Sequence, residues 1–240
     1  MQSNSEIDGV LLVDKAQGMT SHDVVAITRR ALNTKKIGHC GTLDPLATGL
    51  LILTVGRGTK IQDLLMSEDK EYVGTMRLGE STDSQDADGK ILETKPVPEL
   101  SSDEIEAAFA KFQGDFYQTP PMVSAIKKDG VPLYKLARQG KVVEREPRFV
   151  RIYANEVQEI RLPDVDFRVV CSKGFYVRTH AHDIGIELGC GAHLRALRRT
   201  KSGRFCVDGA VTVAELKESP REELLPRILS LPAVSRLRGA

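Results

Sequence analysis

Between Gly41 and Gly49 the chain reads Gly-Thr-Leu-Asp-Pro-Leu-Ala-Thr-Gly. Proline restricts the residue before it to extended conformations, so Asp44 cannot simply continue a helix into Pro45. Small residues surround this acid and a glycine brackets each side, which presents a carboxylate on a tight loop. Such an Asp-Pro pair is either a turn former or a catalytic group. The word as a whole points to the second.

The flanking sequence sets elements around that loop. Gly9 to Asp14 reads as a buried strand, and Leu50 to Val55 as another. Thr20 and Asp23 have capping-box spacing ahead of a helical stretch from His22 to Leu32. Tyr72 to Leu78 and Lys90 to Thr94 are expected to pair as antiparallel strands around a turn containing Asp88-Gly89. Residues 101 to 113 are amphipathic, with Ile105, Ala108, Phe109 and Phe112 on one face and Ser101 and Glu104 at capping-box spacing. One short helix is expected between Pro120-Pro121 and Gly140. Val165, Phe167, Val169 and Cys171 alternate as in a half-buried strand. Helical patterns follow from Val177 to Leu188 and from His193 to Arg199, with short helices over 213 to 229. Strands and helices mix without regular βαβ units, which predicts an α+β fold with a large mixed sheet.

Composition matters mainly through where charge falls. The 240 residues carry a net charge of +1, but acids crowd residues 80 to 106. Basic residues gather in two groups: Lys127, Lys128, Lys135, Arg138, Lys141, Arg145, Arg148 and Arg151, then Arg195, Arg198, Arg199, Lys201 and Arg204. Local rather than net charge is what a polyanion meets, so either group suits a phosphate-bearing partner; the alternative is a solvated surface. No apolar run reaches the roughly 20 residues of a membrane helix. Residues 1–6 lack the basic and apolar stretches of a signal peptide. The four cysteines form no CxxC pair, as suits reduced thiols in a cytoplasmic protein.

Two nominal metal motifs fail on their spacing. Ser84 to Gly89 imitates the start of a calcium loop, but Lys95 stands where that loop needs a bidentate Glu, so a polar turn is expected. His180, His182, Cys190 and His193 do not follow a common zinc pattern. Walker, dinucleotide and Gly-x-Ser-x-Gly motifs are absent.

Five blocks in order carry a family resemblance. They are His39 to Leu50; Lys70-Glu-Tyr72 with Arg77-Leu-Gly79 and Asp86 to Gly89; Pro120 to Lys127 with Gly130, Tyr134 and Ala137 to Gly140; Cys171 to Thr179; and His193 to Arg199. Together they closely resemble the TruB family, the tRNA pseudouridine-55 synthases, over about residues 8 to 205. The resemblance implies a pseudouridine synthase fold: a large, mixed, mainly antiparallel sheet flanked by helices and loops, with an RNA-binding insertion at about 120–151. Its catalytic domain would span 1–212. Residues 213–240 would form a short helical tail rather than the full RNA-binding PUA domain of many members. Ala16 departs from the proline often found there in the family.

By the same resemblance Asp44 is the essential carboxylate, acting as a nucleophile at sugar or base or as a base promoting a glycal-like intermediate. Arg178 would keep that carboxylate ionised. Tyr72 would stack on the extruded uracil, Tyr176 and Leu197 would wall its pocket, and His39 would help dock the nucleotide. Alone, each of these residues reads equally well as structural. The implied partner is tRNA, through its T-loop and T-arm, with no cofactor, metal, membrane or obligate protein partner, and a monomer. The competing classes are a catalytically silent RNA-binding or folding-assisting protein, which intact Asp44, Tyr72 and Arg178 argue against, and a metal-dependent hydrolase.

Overall fold

The computed structural model describes residues 7–124 and 126–239, without the Arg138 side chain. The polar N-terminal residues 1–6, Ala125 of the third block and the Arg138 side chain of the first basic group therefore lie outside the described residues. Elements follow the sequence closely where near neighbours decide them. Strand β1 (Gly9–Lys15) precedes helix α1 (Ser21–Ala31), whose Thr20–Asp23 capping box is complete. Next come β2 (Ile37–Cys40), β3 (Thr48–Val55), α2 (Gln62–Met66) and β4 (Lys70–Leu78). Strands β5 (Glu80–Thr82) and β6 (Ile91–Thr94) lead to α3 (Ser102–Ala110), which starts at the expected Ser101–Glu104 capping box.

Strand β7 (Gly114–Gln118) runs into the insertion, which holds β8 (Lys127–Lys128), β9 (Val131–Pro132) and the one short helix expected there, α4 (Leu133–Arg138). Strands β10 (Arg148–Arg161) and β11 (Asp164–Cys171) follow, then α5 (Val177–Glu187) and β12 (Ala192–Ser202). The chain closes with β13 (Phe205–Cys206), β14 (Val211–Thr212), α6 (Val213–Glu218), α7 (Arg221–Leu224) and α8 (Leu231–Arg238). No helix among the described residues is long and apolar enough to cross a membrane.

The chain divides into two compact units, residues 1–72 with 198–240 and residues 73–197, and the divisions fall inside β4 and β12. In the first unit the hydrogen-bonded order is β14-β1-β3-β12, with β2 added to β3 and β13 to β12. Strand β3 is buried from Gly49 to Val55, and it pairs antiparallel with β1 from Gly49↔Lys15 to Val55↔Gly9. Val10, Leu50, Ile52, Leu65, Phe205 and Val234 meet in its core, so α8 closes on the same apolar surface as the first strand. Burial of such side chains is worth about 1.5–3 kcal/mol each.

In the second unit the order is β4-β11-β10-β7. The alternation read in β11 is real: Val165, Phe167, Val169 and Cys171 are buried and their neighbours half-buried. The Phe167 ring meets that of Phe109 on α3, where Ile105, Ala108 and Phe109 of the expected apolar stripe are buried.

Two expectations are overturned. Residues 193–199 are strand, not helix: β12 pairs in parallel with β3 at Arg198↔Thr48 and Arg199↔Gly49, and antiparallel with β13. The Leu and Arg residues there favour helix locally, but ladder hydrogen bonds and burial outweigh a propensity of a few tenths of a kcal/mol per residue. Likewise β6 pairs with β5, at Glu80↔Thr94 and Ser81↔Glu93, and not with β4. Gly79, at φ +88°, turns the chain after Leu78 and separates β5 from β4.

Candidate active site

The Asp44 loop is tied down from below. After β2 the chain turns at Gly41, whose φ is +85°. Leu43 donates its N–H to Ser21 Oγ at 2.9 Å, and Ser21 Oγ donates to the Leu43 carbonyl at 3.2 Å. The Pro45 carbonyl accepts from Gly18 N–H at 2.8 Å, and Ala47 N–H donates to the Asp44 carbonyl at 3.0 Å to close the turn. Leu43, Leu46 and Ala47 are buried, Thr42 and Pro45 are exposed, and Asp44 lies half-buried between them. These anchors grip main-chain atoms and apolar side chains, which fixes the loop that carries the Asp44 side chain.

Two buried cations complete the support, and neither is assigned this role by the sequence. Lys15, fully buried at the end of β1, donates Nζ to the carbonyls of Ala16 at 3.0 Å and Met19 at 2.8 Å, with Pro45 at 3.5 Å. Burial pushes its ammonium down to about 8, and the Asp44 charge pulls it back up. That attraction favours the charged form of Lys15. Arg199, 1% exposed, donates Nε to the Leu50 carbonyl at 2.7 Å and Nη2 to the Gly41 carbonyl at 3.1 Å. Lys15 does carry a sequence signal, since it and Asp14 end a strand that is apolar from Val10 to Val13. Arg199 falls among the surface bases because nothing local marks it as buried.

His39 lies on β2 opposite Leu53. Its ring meets that of His22 edge to face, 5.2 Å between centroids. Its buried Nδ1 has no hydrogen-bond partner among the described residues. Burial, then the charges of His22 and Arg199, hold His39 below the ordinary histidine value, so it is neutral at pH 7. Tyr72 on β4 is 9% exposed. Asp44, His39 and Tyr72 all belong to the first unit.

Tyr176, Arg178 and Leu197 belong to the second. Tyr176 is the extended residue that starts α5. Arg178, 4% exposed, donates Nη1 to the Ser84 carbonyl at 2.8 Å and Nη2 to the Val123 carbonyl at 2.7 Å. Its Nε lies 3.6 Å from the carboxylate of buried Asp86. Asp86 in turn accepts from Ser84 Oγ at 2.5 Å and Asp88 N–H at 3.1 Å. The polar turn at 84–89 is thus also the seat of an arginine, which spacing alone does not reveal. Leu197 is half-buried on β12, with a methyl 3.3 Å from where a Cβ on Gly74 would stand.

The two basic groups differ in kind. Lys127, Lys128, Lys141 and Arg148 in the insertion are exposed. A cavity of about 530 Å³ there is lined by Lys127, Lys128, Arg145 and Arg148, with Asp129, Glu144 and Glu146 among them. In the second group Arg198 pairs with Asp14 at 2.7 Å, Arg195 pairs with Asp164, and Arg199 is buried. Arg199 is thereby withdrawn from any anion-binding surface, whereas Arg195 and Arg198 keep exposed side chains beside their acidic partners. The cysteines are all free thiols, and Cys40, Cys171 and Cys190 are buried.

Comparison with known proteins follows the same residues. A family model described as TruB family pseudouridylate synthase (N terminal domain) matches residues 29–177, and one described as tRNA pseudouridylate synthase B C-terminal domain matches residues 178–232. The tRNA pseudouridine synthase B of Opitutus terrae is 58% identical over 229 residues, 95% of either chain. That of Syntrophotalea carbinolica is 46% identical over 96% of this chain and 75% of its own. Among solved structures, a Cbf5-Nop10-Gar1 complex holds a chain 32% identical, with a TM-score of 0.73 over 97% of this chain and 62% of that one. An H/ACA RNP bound to a substrate RNA containing 2′-deoxyuridine gives 31% and 0.66, over 88% of this chain and 52% of that one. The chain therefore spans less than two thirds of the length of those two solved chains.

Proposed function

Since this chain belongs to the TruB family and is a pseudouridine synthase acting on tRNA, with the fold of that class, we propose that it isomerises uridine 55 in the T-loop and that Asp44 is the essential carboxylate. In the reaction the N1–C1′ glycosidic bond breaks, the uracil turns, and C5 bonds to C1′ while the C5 hydrogen is lost as a proton and N1 gains one. The formula is unchanged and no electrons are exchanged with a cofactor. Asp44 serves either as a nucleophile at sugar or base, or as the base that opens a glycal-like path.

The observation that carries this reading is the anchoring of the Asp44 loop by Ser21, Lys15 and Arg199 through main-chain atoms, with the cation of Lys15 coupled to the carboxylate. A fixed carboxylate beside a buried positive charge suits a group that must react from its ionised form. The uridine must leave its stack first, at a cost of a few kcal/mol. Stacking on Tyr72 would return about 1–3 kcal/mol of it. Tyr176, Arg178 and Leu197 are assigned to binding the nucleotide, and His39, neutral at pH 7, to docking it. The exposed lysines of the insertion would meet phosphates, which position the RNA without reading its sequence, so the folded shape of the loop would be recognised.

The test is pseudouridine mapping on an unmodified tRNA transcript. Asp44→Asn is expected to fold and bind tRNA but leave position 55 unmodified in metal-free buffer. Wild-type activity in that variant, or modification at another position, would refute the assignment.

A further inference from the structure

The side chain of Gln118, 3% exposed, makes two hydrogen bonds to one distant residue. Its Oε1 accepts from Tyr176 N–H at 2.8 Å, and its Nε2 donates to the Tyr176 carbonyl at 3.1 Å. In an extended residue the N–H and C=O point to the same side, as they do toward a neighbouring strand. Tyr176, at φ −110° and ψ 108°, is such a residue, and the carboxamide acts as its strand partner. Only one orientation of the amide satisfies both bonds, so the side chain has a single setting.

The position of Gln118 gives this clamp a consequence. It is the last residue of β7 and pairs with Arg148, the first of β10, so the Gln118–Arg148 pair closes the root of the insertion. Arg145 Nη1 donates to the Pro120 carbonyl across the same root at 3.1 Å. Arg178, two residues beyond Tyr176, donates to the Val123 carbonyl within the insertion. The root of the insertion and the start of α5 are therefore joined through both Tyr176 and Arg178. Helix α5 has no side-chain cap of its own, so Gln118 supplies the contact that sets where Tyr176 begins it.

We propose that Gln118 is a positioning residue for pseudouridine formation: it sets Tyr176 by its backbone and links that residue to the insertion that meets the RNA. The proposal rests on the reading of Tyr176 as a substrate-binding residue. Gln118 acts before the chemistry and only through Tyr176, so its loss misplaces the pocket wall while the RNA-binding groups stay in place.

The test uses the full chain, an unmodified tRNA transcript, and steady-state rates with melting temperatures. Gln118→Leu removes both bonds. Gln118→Glu keeps the shape and the acceptor but sets a second oxygen against the Tyr176 carbonyl, and it carries the test if Gln118→Leu fails to fold. Both are expected to lower kcat about 10- to 100-fold, the scale of a displaced positioning group, and to move KM for tRNA by less than about threefold. Either Gln118 variant combined with Tyr176→Leu should be no slower than Tyr176→Leu alone, because the clamp has nothing left to position. A merely structural role would lower the melting temperature and multiply the two rate effects, and that result would overturn the proposal. A slow Tyr176→Leu enzyme beside fully active Gln118 variants would overturn the clamp alone. A fully active Tyr176→Leu enzyme would overturn the reading of Tyr176 and the proposal with it.

Discussion

Arg199 holds Gly41 by its carbonyl: the guanidinium Nη2 donates at 3.1 Å from a side chain that is 1% exposed. The same guanidinium reaches the Leu50 carbonyl through Nε, so one residue of β12 pins both ends of the Asp44 loop. Gly49 makes this approach possible. A Cβ there would stand 2.3 Å from the Arg199 carbonyl oxygen, and its φ of +96° suits glycine alone.

Arg199→Lys keeps the charge but loses the planar fork that serves two carbonyls at once. Two charge-assisted bonds to buried acceptors would be weakened or broken, a destabilisation of about 3 kcal/mol. For a chain of this size that lowers the melting temperature by about 6–12 °C. The fall should come with faster hydrogen exchange at the amides of Leu43 and Ala47, which the loop now protects. An unchanged melting temperature would show that the Arg199 ties do not hold the loop.

The buried His180 predicts an acid limb of stability. Asn155 Nδ2 donates to the Phe109 carbonyl at 2.7 Å, so its Oδ1 accepts from His180 Nε2 at 3.0 Å and the imidazole is neutral. The rings of Phe109, Phe112, Phe167 and Phe175 surround it, and burial pushes its pKa down to about 3 from 6.5. Between those values the unfolded chain binds a proton that the fold refuses. Stability is therefore complete above pH 6.5 and declines as pH falls toward 3, by up to about 4 kcal/mol. Urea unfolding of wild type and His180→Leu from pH 7 to 4 should show their stability gap narrowing on acidification. A gap that stays constant with pH would remove His180 from the acid limb.

Lys127 and Lys128, both exposed on β8, should contribute to tRNA affinity through phosphates. Removing one phosphate-neutralising charge makes the slope of log affinity against log salt shallower by about 0.7–0.9. Lys127→Glu with Lys128→Glu is expected to weaken binding and flatten that slope by about 1–2, with little change in the single-turnover rate at saturating tRNA. A slope equal to wild type would exclude these lysines from the RNA interface.

Much of this protein is legible in near-neighbour patterns. The capping boxes at Thr20 and Ser101, the alternation in β11 and the apolar run of β3 each depend on residues within a turn or a pleat, and each is found where its pattern lies. Residues 193–199 are misread because their side chains favour helix, while the partners that make them a strand, β3 and β13, are supplied by other parts of the chain. The β5–β6 pairing is missed for the same reason: a turn at Asp88-Gly89 marks a hairpin but does not say which preceding strand it returns to. At the site, the residues carried by motifs can be named one by one. The supporting roles of Lys15, Arg199, Asp86 and Gln118 cannot, because what a buried cation, acid or amide holds is set by what surrounds it.

Five blocks in order are enough to assign the family, and with it to nominate Asp44, Tyr72, Tyr176, Arg178, Leu197 and His39 as candidates. Helix starts and buried strands are equally readable from the chain, because their causes are local. Folding is needed to place Arg199 beneath the Asp44 loop rather than on an RNA-facing surface, to seat Arg178 against Asp86, and to bring Gln118 to Tyr176. Those relations join residues 158, 92 and 58 positions apart. Their energies come from desolvation and hydrogen bonding inside the folded protein, terms that have no value until the fold has brought the groups together.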